Sequence, residues 1–326
     1  MQKTFDLYEG QGRKLSGRKL FLPDYKEQEG INDPQNYIAS AGLRDAFNVA
    51  LALGQPLLIT GEPGTGKTRF AESAAWEFDL NYEEFHTKTT SVASDLFYHY
   101  DAIRRFQDAH DNEKKEIEHY ITPQALGAAI LLTNPTGHAL KLVTKDSKHV
   151  IPVRSVVLID EIDKAPRDFP NDILNEIEAM KFKIKETDRP AFAAKPDLRP
   201  IVILTSNSEK NLPDAFLRRC VFYHIDFPDT GSLKKIVMKR FGNTSTGFKD
   251  EFIKSAIAHF EAIRKLDMRK RPATAEFLAW LSILKSSGVD GALNKKDESR
   301  IMISYSVLAK SREDMKRLKT ELPKLL

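Results

Sequence analysis

Eight consecutive residues constrain this chain more than any other part of it: Gly61-Glu62-Pro63-Gly64-Thr65-Gly66-Lys67-Thr68. They satisfy the spacing G-x-x-x-x-G-K-[ST] in full. Leu57-Leu58-Ile59-Thr60, immediately before them, reads as a buried strand, and residues 67–78 resume at helical spacing. That strand-to-helix context turns a pattern into a physical prediction. Glycines let successive backbone N–H groups converge on phosphate oxygens at a helix N-terminus, where the dipole already favours anions. Lys67 is placed to contact the terminal phosphates, and Thr68 to ligate a Mg²⁺ ion.

A second constellation follows nearly a hundred residues on. Val156-Val157-Leu158-Ile159 is the continuous apolar run expected of a central parallel strand covered on both faces, and Asp160-Glu161 come directly after it. Both carboxylates then fall at the carboxyl edge of the sheet, beside the glycine loop. Asp160 suits the acid that holds Mg²⁺, and Glu161 suits the base that orients and deprotonates an attacking water. Asp163 is left open between a supporting partner and a plain helix entry. A third apolar run, Ile201-Val202-Ile203-Leu204, ends in Thr205-Ser206-Asn207, and Asn207 offers an amide that can polarise the same water or the γ-phosphate.

Around these motifs the apolar pattern alternates strand and helix. Helical spacing is expected over 40–53, 168–180, 231–241, 251–266, 274–284 and 301–318, with a helix opening after Ser94. Strands are expected over 82–87, 155–159, 201–204 and 221–225, and residues 181–200 read as a projecting hairpin in which Phe182 and Ile184 alternate with lysines. The β signals cease after Pro228. The expected organisation is therefore a leader at 1–35, an α/β nucleotide-binding domain at 36–228 and a helical domain at 229–326. The leader carries a basic near-repeat, Gly12-Arg13-Lys14-Leu15 and Gly17-Arg18-Lys19-Leu20, read as a solvated segment or a docking arm.

Composition narrows the partners. With 50 basic and 46 acidic side chains the formal charge is only +4, so no global field calls for a polyanion and nucleic acid is not the expected partner. A lone cysteine, Cys220, excludes an internal disulfide framework and reads as a small apolar side chain. The start has no apolar secretory core, and the most apolar stretch, 46–60, is interrupted and shorter than the ~20 residues a membrane span needs. A cytoplasmic location without a membrane span is the expectation.

Taken together, GEPGTGKT, VVLIDEIDKA, TSNSEKNLPDAFLRRC and RKRPATAEFLAWL resemble the AAA+ superfamily of P-loop ATPases, and within it the MoxR-like branch, over about residues 36–290. The resemblance implies an αβα sandwich on a parallel central sheet with a C-terminal helical lid. It also implies an ATP- and Mg²⁺-dependent hydrolase assembled as a homo-oligomeric, usually hexameric, ring. In such rings a neighbour's arginine completes each site; the matching residue here is Arg219, with Arg218 at a position often acidic in relatives. The lid supplies a second sensing residue, for which Arg271 is the nearest match, and the 181–200 hairpin is expected to face the central pore. The MoxR-like branch further implies remodelling, assembly or metal-insertion maturation of a protein client, alongside a partner with a von Willebrand factor A domain. Two alternatives stand beside it: a nucleic-acid motor of restriction or defence type, which would share every site residue, and a small-molecule kinase, which would have no use for Asn207 or an arginine in trans.

Overall fold

The computed structural model describes residues 33–113, 115–144, 150–208, 212–241 and 248–325; the basic near-repeat of the leader lies outside the described residues. The chain forms two compact units. One comprises Ala39–Gly61 and Lys67–Ile225, and the other Asp226–Leu326 with Glu62–Gly66 and the stretch ending at Ile38. The change-over along the chain falls at Ile225/Asp226.

The α/β unit is built on five parallel strands: β1 (Leu57–Gly61), β2 (Asn81–His86), β5 (Ser155–Asp160), β8 (Ile201–Ser206) and β9 (Val221–Ile225). They lie in the order β2-β5-β8-β1-β9. β1 and β5 are buried along their whole length, as their unbroken apolar runs require of strands covered on both faces. Register brings the functional ends together. Thr60 lies opposite Ser206, Ile159 opposite Leu204, and His86 opposite Asp160. Helix α1 (Ala41–Leu53) precedes β1. The Ser40 hydroxyl caps it by accepting from Leu43 N at 3.2 Å, and Gly54 ends it in the left-handed region at φ 63°. Helix α2 (Lys67–Glu77) follows the glycine loop.

Between β2 and β5 the chain departs from expectation. Instead of a helix after Ser94 there is one 3₁₀ turn (Ala93–Leu96), then β3 (Tyr98–Tyr100), α3 (Ala102–His110) and β4 (Ile121–Pro123), with β3 and β4 paired antiparallel. The cause is tertiary. Phe97 and Tyr98 are buried against Phe182, ring centroids 5.3 and 6.3 Å apart, so the backbone extends to present them. Helix α4 (Ala125–Thr133) then crosses so close to that segment that a Cβ on Gly127 would sit 1.8 Å from the Phe97 carbonyl oxygen. It is followed by α5 (Gly137–Val143).

The expected helix over 168–180 is two short helices, α6 (Phe169–Asp172) and α7 (Leu174–Ala179), with the buried Ile173 at φ −89°, ψ −7° between them. The hairpin that follows is shorter than its alternation suggested: only β6 (Lys181–Phe182) and β7 (Phe192–Ala193) pair. Helix α8 (Asp214–Leu217) leads to β9.

The second unit is helical: α9 (Thr230–Phe241), α10 (Asp250–Lys265), α11 (Thr274–Ser286), α12 (Glu298–Ser304) and α13 (Arg312–Leu325). A single helix over 301–318 was expected. The chain instead turns after Ser304, which puts Tyr305 and Leu308 in the core, and restarts where the Ser311 hydroxyl accepts from Asp314 N at 3.1 Å. Trp280, Phe252, Phe260, Phe277 and Tyr305 are almost fully buried and form the centre of this unit. No helix among the described residues is long and apolar enough to cross a membrane.

Candidate active site

The carboxyl ends of β1, β5 and β8 bring five of the sequence-predicted residues within hydrogen-bonding reach. Lys67, in the first turn of α2, is only 7% exposed; its ammonium donates to Gly61 O at 2.8 Å and to Asn207 Oδ1 at 3.0 Å. Burial pulls its pKa below the ordinary lysine range, while Asp160, Asp163 and Glu161 pull the other way. An ammonium desolvated in this way gains by exchanging weak neutral acceptors for an anion.

Thr68, next on the same helix, donates to Asp160 Oδ1 at 3.1 Å. The same oxygen accepts from Thr205 Oγ1 of β8 at 2.5 Å. Thr205 was not singled out from the sequence. Its hydroxyl also accepts from Glu161 N at 2.9 Å and so pins both acidic residues to the neighbouring strand. Its place at the close of an apolar run, followed by two more polar residues, was the only available signal.

Glu161 takes the left-handed conformation, φ 55° and ψ 49°, which is uncommon for a residue with a Cβ and carries a strain of about 1–3 kcal/mol. That backbone turns the carboxylate out of the strand direction at the point where β5 ends. One oxygen faces Asn207 Nδ2 at 3.5 Å, and the other accepts from Lys164. Asp163, left open from the sequence, accepts from Asn207 N at 3.1 Å and fixes where that side chain starts.

The residues present fit a Mg²⁺-bound nucleoside triphosphate. Gly64 and Gly66 hold φ of 79° and 93°, the left-handed turns that an anion-binding nest of N–H groups calls for. Thr68 and Asp160 supply the hydroxyl and carboxylate oxygens that a hard cation prefers. The loop residues Glu62–Gly66 belong to the helical unit. Thr65 Oγ1 donates to Glu62 O at 2.9 Å, Ala275 N donates to Gly64 O at 3.2 Å, and Arg264 pairs with Glu62 at 3.1 Å.

Two further predicted residues are arginines, one in each unit. Arg271 is exposed in the turn before α11. The arginine of that region that reaches the loop is Arg264, whose guanidinium also lies over the Phe227 ring at 3.6 Å and donates to Pro272 O. Arg219 is half exposed and pairs with Glu178 at 3.7 Å, and Arg218 beside it is exposed. Cys220 packs against the α/β core, and burial pushes its thiol up to about 12, which makes it a poor nucleophile.

Comparison with known proteins agrees with this geometry at the level of family and fold. Residues 57–228 match the ATPase family associated with various cellular activities (AAA). The match spans more than half of the chain, and the chain belongs to that family. No curated protein gives a significant sequence match. Among solved structures, a single-residue variant of the RuvB protein of Thermotoga maritima is similar with a TM-score of 0.50 at 14% identity, over 90% of this chain and 80% of that one. A second variant of the same protein gives 0.50 at 16% identity, over 89% and 79%. At such identities the likeness is one of fold: a parallel five-stranded sheet flanked by helices, with a helical C-terminal part.

Proposed function

We propose that this protein hydrolyses ATP in a ring of identical subunits and uses the cycle to remodel a partner protein, as the MoxR-like resemblance implies. The observation that carries the reading is the convergence of Lys67, Thr68, Asp160, Glu161 and Asn207 from three strand ends. In this reading Lys67 neutralises the terminal phosphates, releasing Gly61 O and Asn207 as it does so. Thr68 and Asp160 hold Mg²⁺, which, when bound, offsets the charge that develops on the phosphates. Asn207, freed from Lys67, orients the attacking water, and Glu161 accepts its proton. A small-molecule kinase would need no such amide and carboxylate pair aimed at water.

Arg219 is the residue assigned to the neighbouring subunit's site. Its support is its exposure, its loose pairing with Glu178, and its place after the strand that carries Asn207. Two inactive variants test this. Arg219→Ala keeps ATP affinity but loses a factor of ~10³ to 10⁵ in turnover, the usual contribution of an arginine finger. Lys67→Ala cannot bind nucleotide but retains its arginine. Mixed and reassembled, some interfaces pair an intact cradle with an intact arginine, and hydrolysis should return in proportion to assembly. No recovery in mixtures shown by light scattering to form mixed rings would place Arg219 outside that role. Adding DNA to the wild-type assay separates the motor alternative, which calls for stimulated turnover.

A further inference from the structure

β2 and β5 are neighbours, and the end of β2 carries two side chains that no motif covers. His86 lies directly opposite Asp160 in the parallel register, and Glu84 lies two residues earlier on the same face of β2. The His86 ring sits between two carboxylates: Nδ1 is 3.5 Å from Asp160 Oδ2, and Nε2 is 3.4 Å from Glu84 Oε1. One donor atom from each of the three residues lies within 4.8 Å of the other two.

The oxygens of Asp160 are divided between two sides. Oδ1 is committed to Thr68 and Thr205, while Oδ2 turns toward His86. Threonine hydroxyls and the β-strand backbone therefore fix this carboxylate, so that its outer oxygen is a preset ligand rather than a mobile one. Glu84 is only 26% exposed, and the His86 side chain, 66% exposed, offers an open path from solvent. Burial raises the Glu84 pKa, and the nearby Asp160 and Glu72 carboxylates raise it further, with His86 opposing. Arg69, on the helix that carries Glu72, is engaged by that carboxylate at 2.6 Å.

From this arrangement we infer that Glu84, His86 and Asp160 form a second divalent-cation site, selective for a borderline metal of the Zn²⁺ type, on the outer side of the Asp160 carboxylate. A tetrahedral ion with bonds of about 2.0–2.1 Å has donors about 3.4 Å apart. The three donors here lie within 4.8 Å of one another, and because the two carboxylates face different nitrogens of the ring, the exposed His86 side chain must turn to bring one nitrogen to the ion. One imidazole with two carboxylates and an open fourth position suits Zn²⁺ or Co²⁺; Mg²⁺ prefers an all-oxygen shell and keeps its water. Because Asp160 belongs to both sites, occupation of the outer one draws its charge away from the Thr68 side and inhibits turnover. That consequence rests on the ATPase reading above; the binding itself does not.

Co²⁺ is the probe, added to the full-length, nucleotide-free protein in a chelator-treated buffer and followed by its visible absorption. Wild type should bind one equivalent with the intense bands of a four-coordinate ion. His86→Ala and Glu84→Gln, each checked for folding by circular dichroism, should weaken binding by at least about tenfold. His138→Ala, which alters a histidine paired with Glu118 elsewhere in the fold, should bind as wild type does. Unchanged Co²⁺ binding in His86→Ala overturns the site, as does loss of the bands in His138→Ala. In a parallel assay at fixed Mg-ATP, micromolar Zn²⁺ should slow wild type and spare His86→Ala. A protein that binds Co²⁺ through His86 but hydrolyses no ATP would overturn the ATPase reading and leave the site standing.

Discussion

Two polar networks among the described residues do opposite work. In the helical unit, Trp280 Nε1 donates to Ser304 Oγ at 2.7 Å, Ser304 Oγ donates to Ile301 O at 2.7 Å, and His259 Nε2 meets the Tyr305 hydroxyl at 2.7 Å. The His259 ring also stacks on Trp280 with centroids 5.6 Å apart. No carboxylate or ammonium is among these partners, and burial pushes the Tyr305 hydroxyl further from ionisation. In the α/β unit the network is ionic and held by substitutable contacts: Lys67 rests on a backbone carbonyl and an amide, and Glu161 sits in a strained conformation with Lys164 on one oxygen. A satisfied network without carboxylates or ammonium groups fixes a core, whereas an ionic one held in waiting is a site.

Variants on the two sides should therefore dissociate chemistry from stability. Of the variants that set one network against the other, the largest effect is expected from Glu161→Gln, which leaves ATP binding intact while turnover falls by a factor of ~10² to 10⁴, the usual worth of a general base. Its melting temperature should not fall, because the side chain serves chemistry rather than packing, and the ATP-locked protein should retain clients in a pull-down. Normal turnover in this variant would remove Glu161 from the role of base. Ser304→Ala reverses the pattern. It strands the Trp280 N–H in an apolar interior at a cost of about 1–3 kcal/mol, visible as a lower melting temperature, with ATP affinity unchanged. Equal losses of stability and affinity would mean that the two networks are not separable.

The smallest effect concerns Lys67 and pH. Burial lowers its pKa from the ordinary 10.5, so the folded chain holds this proton less readily than the unfolded chain does. Stability must then rise as pH climbs from the folded-state value to 10.5, where the unfolded chain also releases the proton. In nucleotide-free protein, wild type should gain on Lys67→Met over that window, measured by denaturant midpoints at stepped pH. A difference that stays constant would show that the buried ammonium is not under strain.

Most of the active face was legible because its residues are consecutive. Gly61–Thr68, Asp160-Glu161 and Thr205-Ser206-Asn207 are each short runs at a strand end, and a strand end followed by polar residues marks the sheet edge wherever the strand is buried. Arg264 was not legible, since nothing in a basic stretch distinguishes the one arginine that reaches Glu62 from those that face solvent. The 3₁₀ turn and strand after Val92 were misread for a related reason: Phe97 and Tyr98 carry no local preference strong enough to reveal that Phe182 would claim them.

The sequence by itself determined the parallel sheet, the phosphate loop, and the lysine, acids and amide at its edge, because the backbone conformation and burial of those runs depend on neighbours within a few positions. Tertiary structure alone decided which side chains meet across strands. The pairing of His86 and Glu84 with Asp160 depends on β2 lying beside β5 in a register of His86 opposite Asp160. That register is set by packing of whole elements, not by any residue near position 86; a shift of a single residue along β2 would have turned both side chains to the other face.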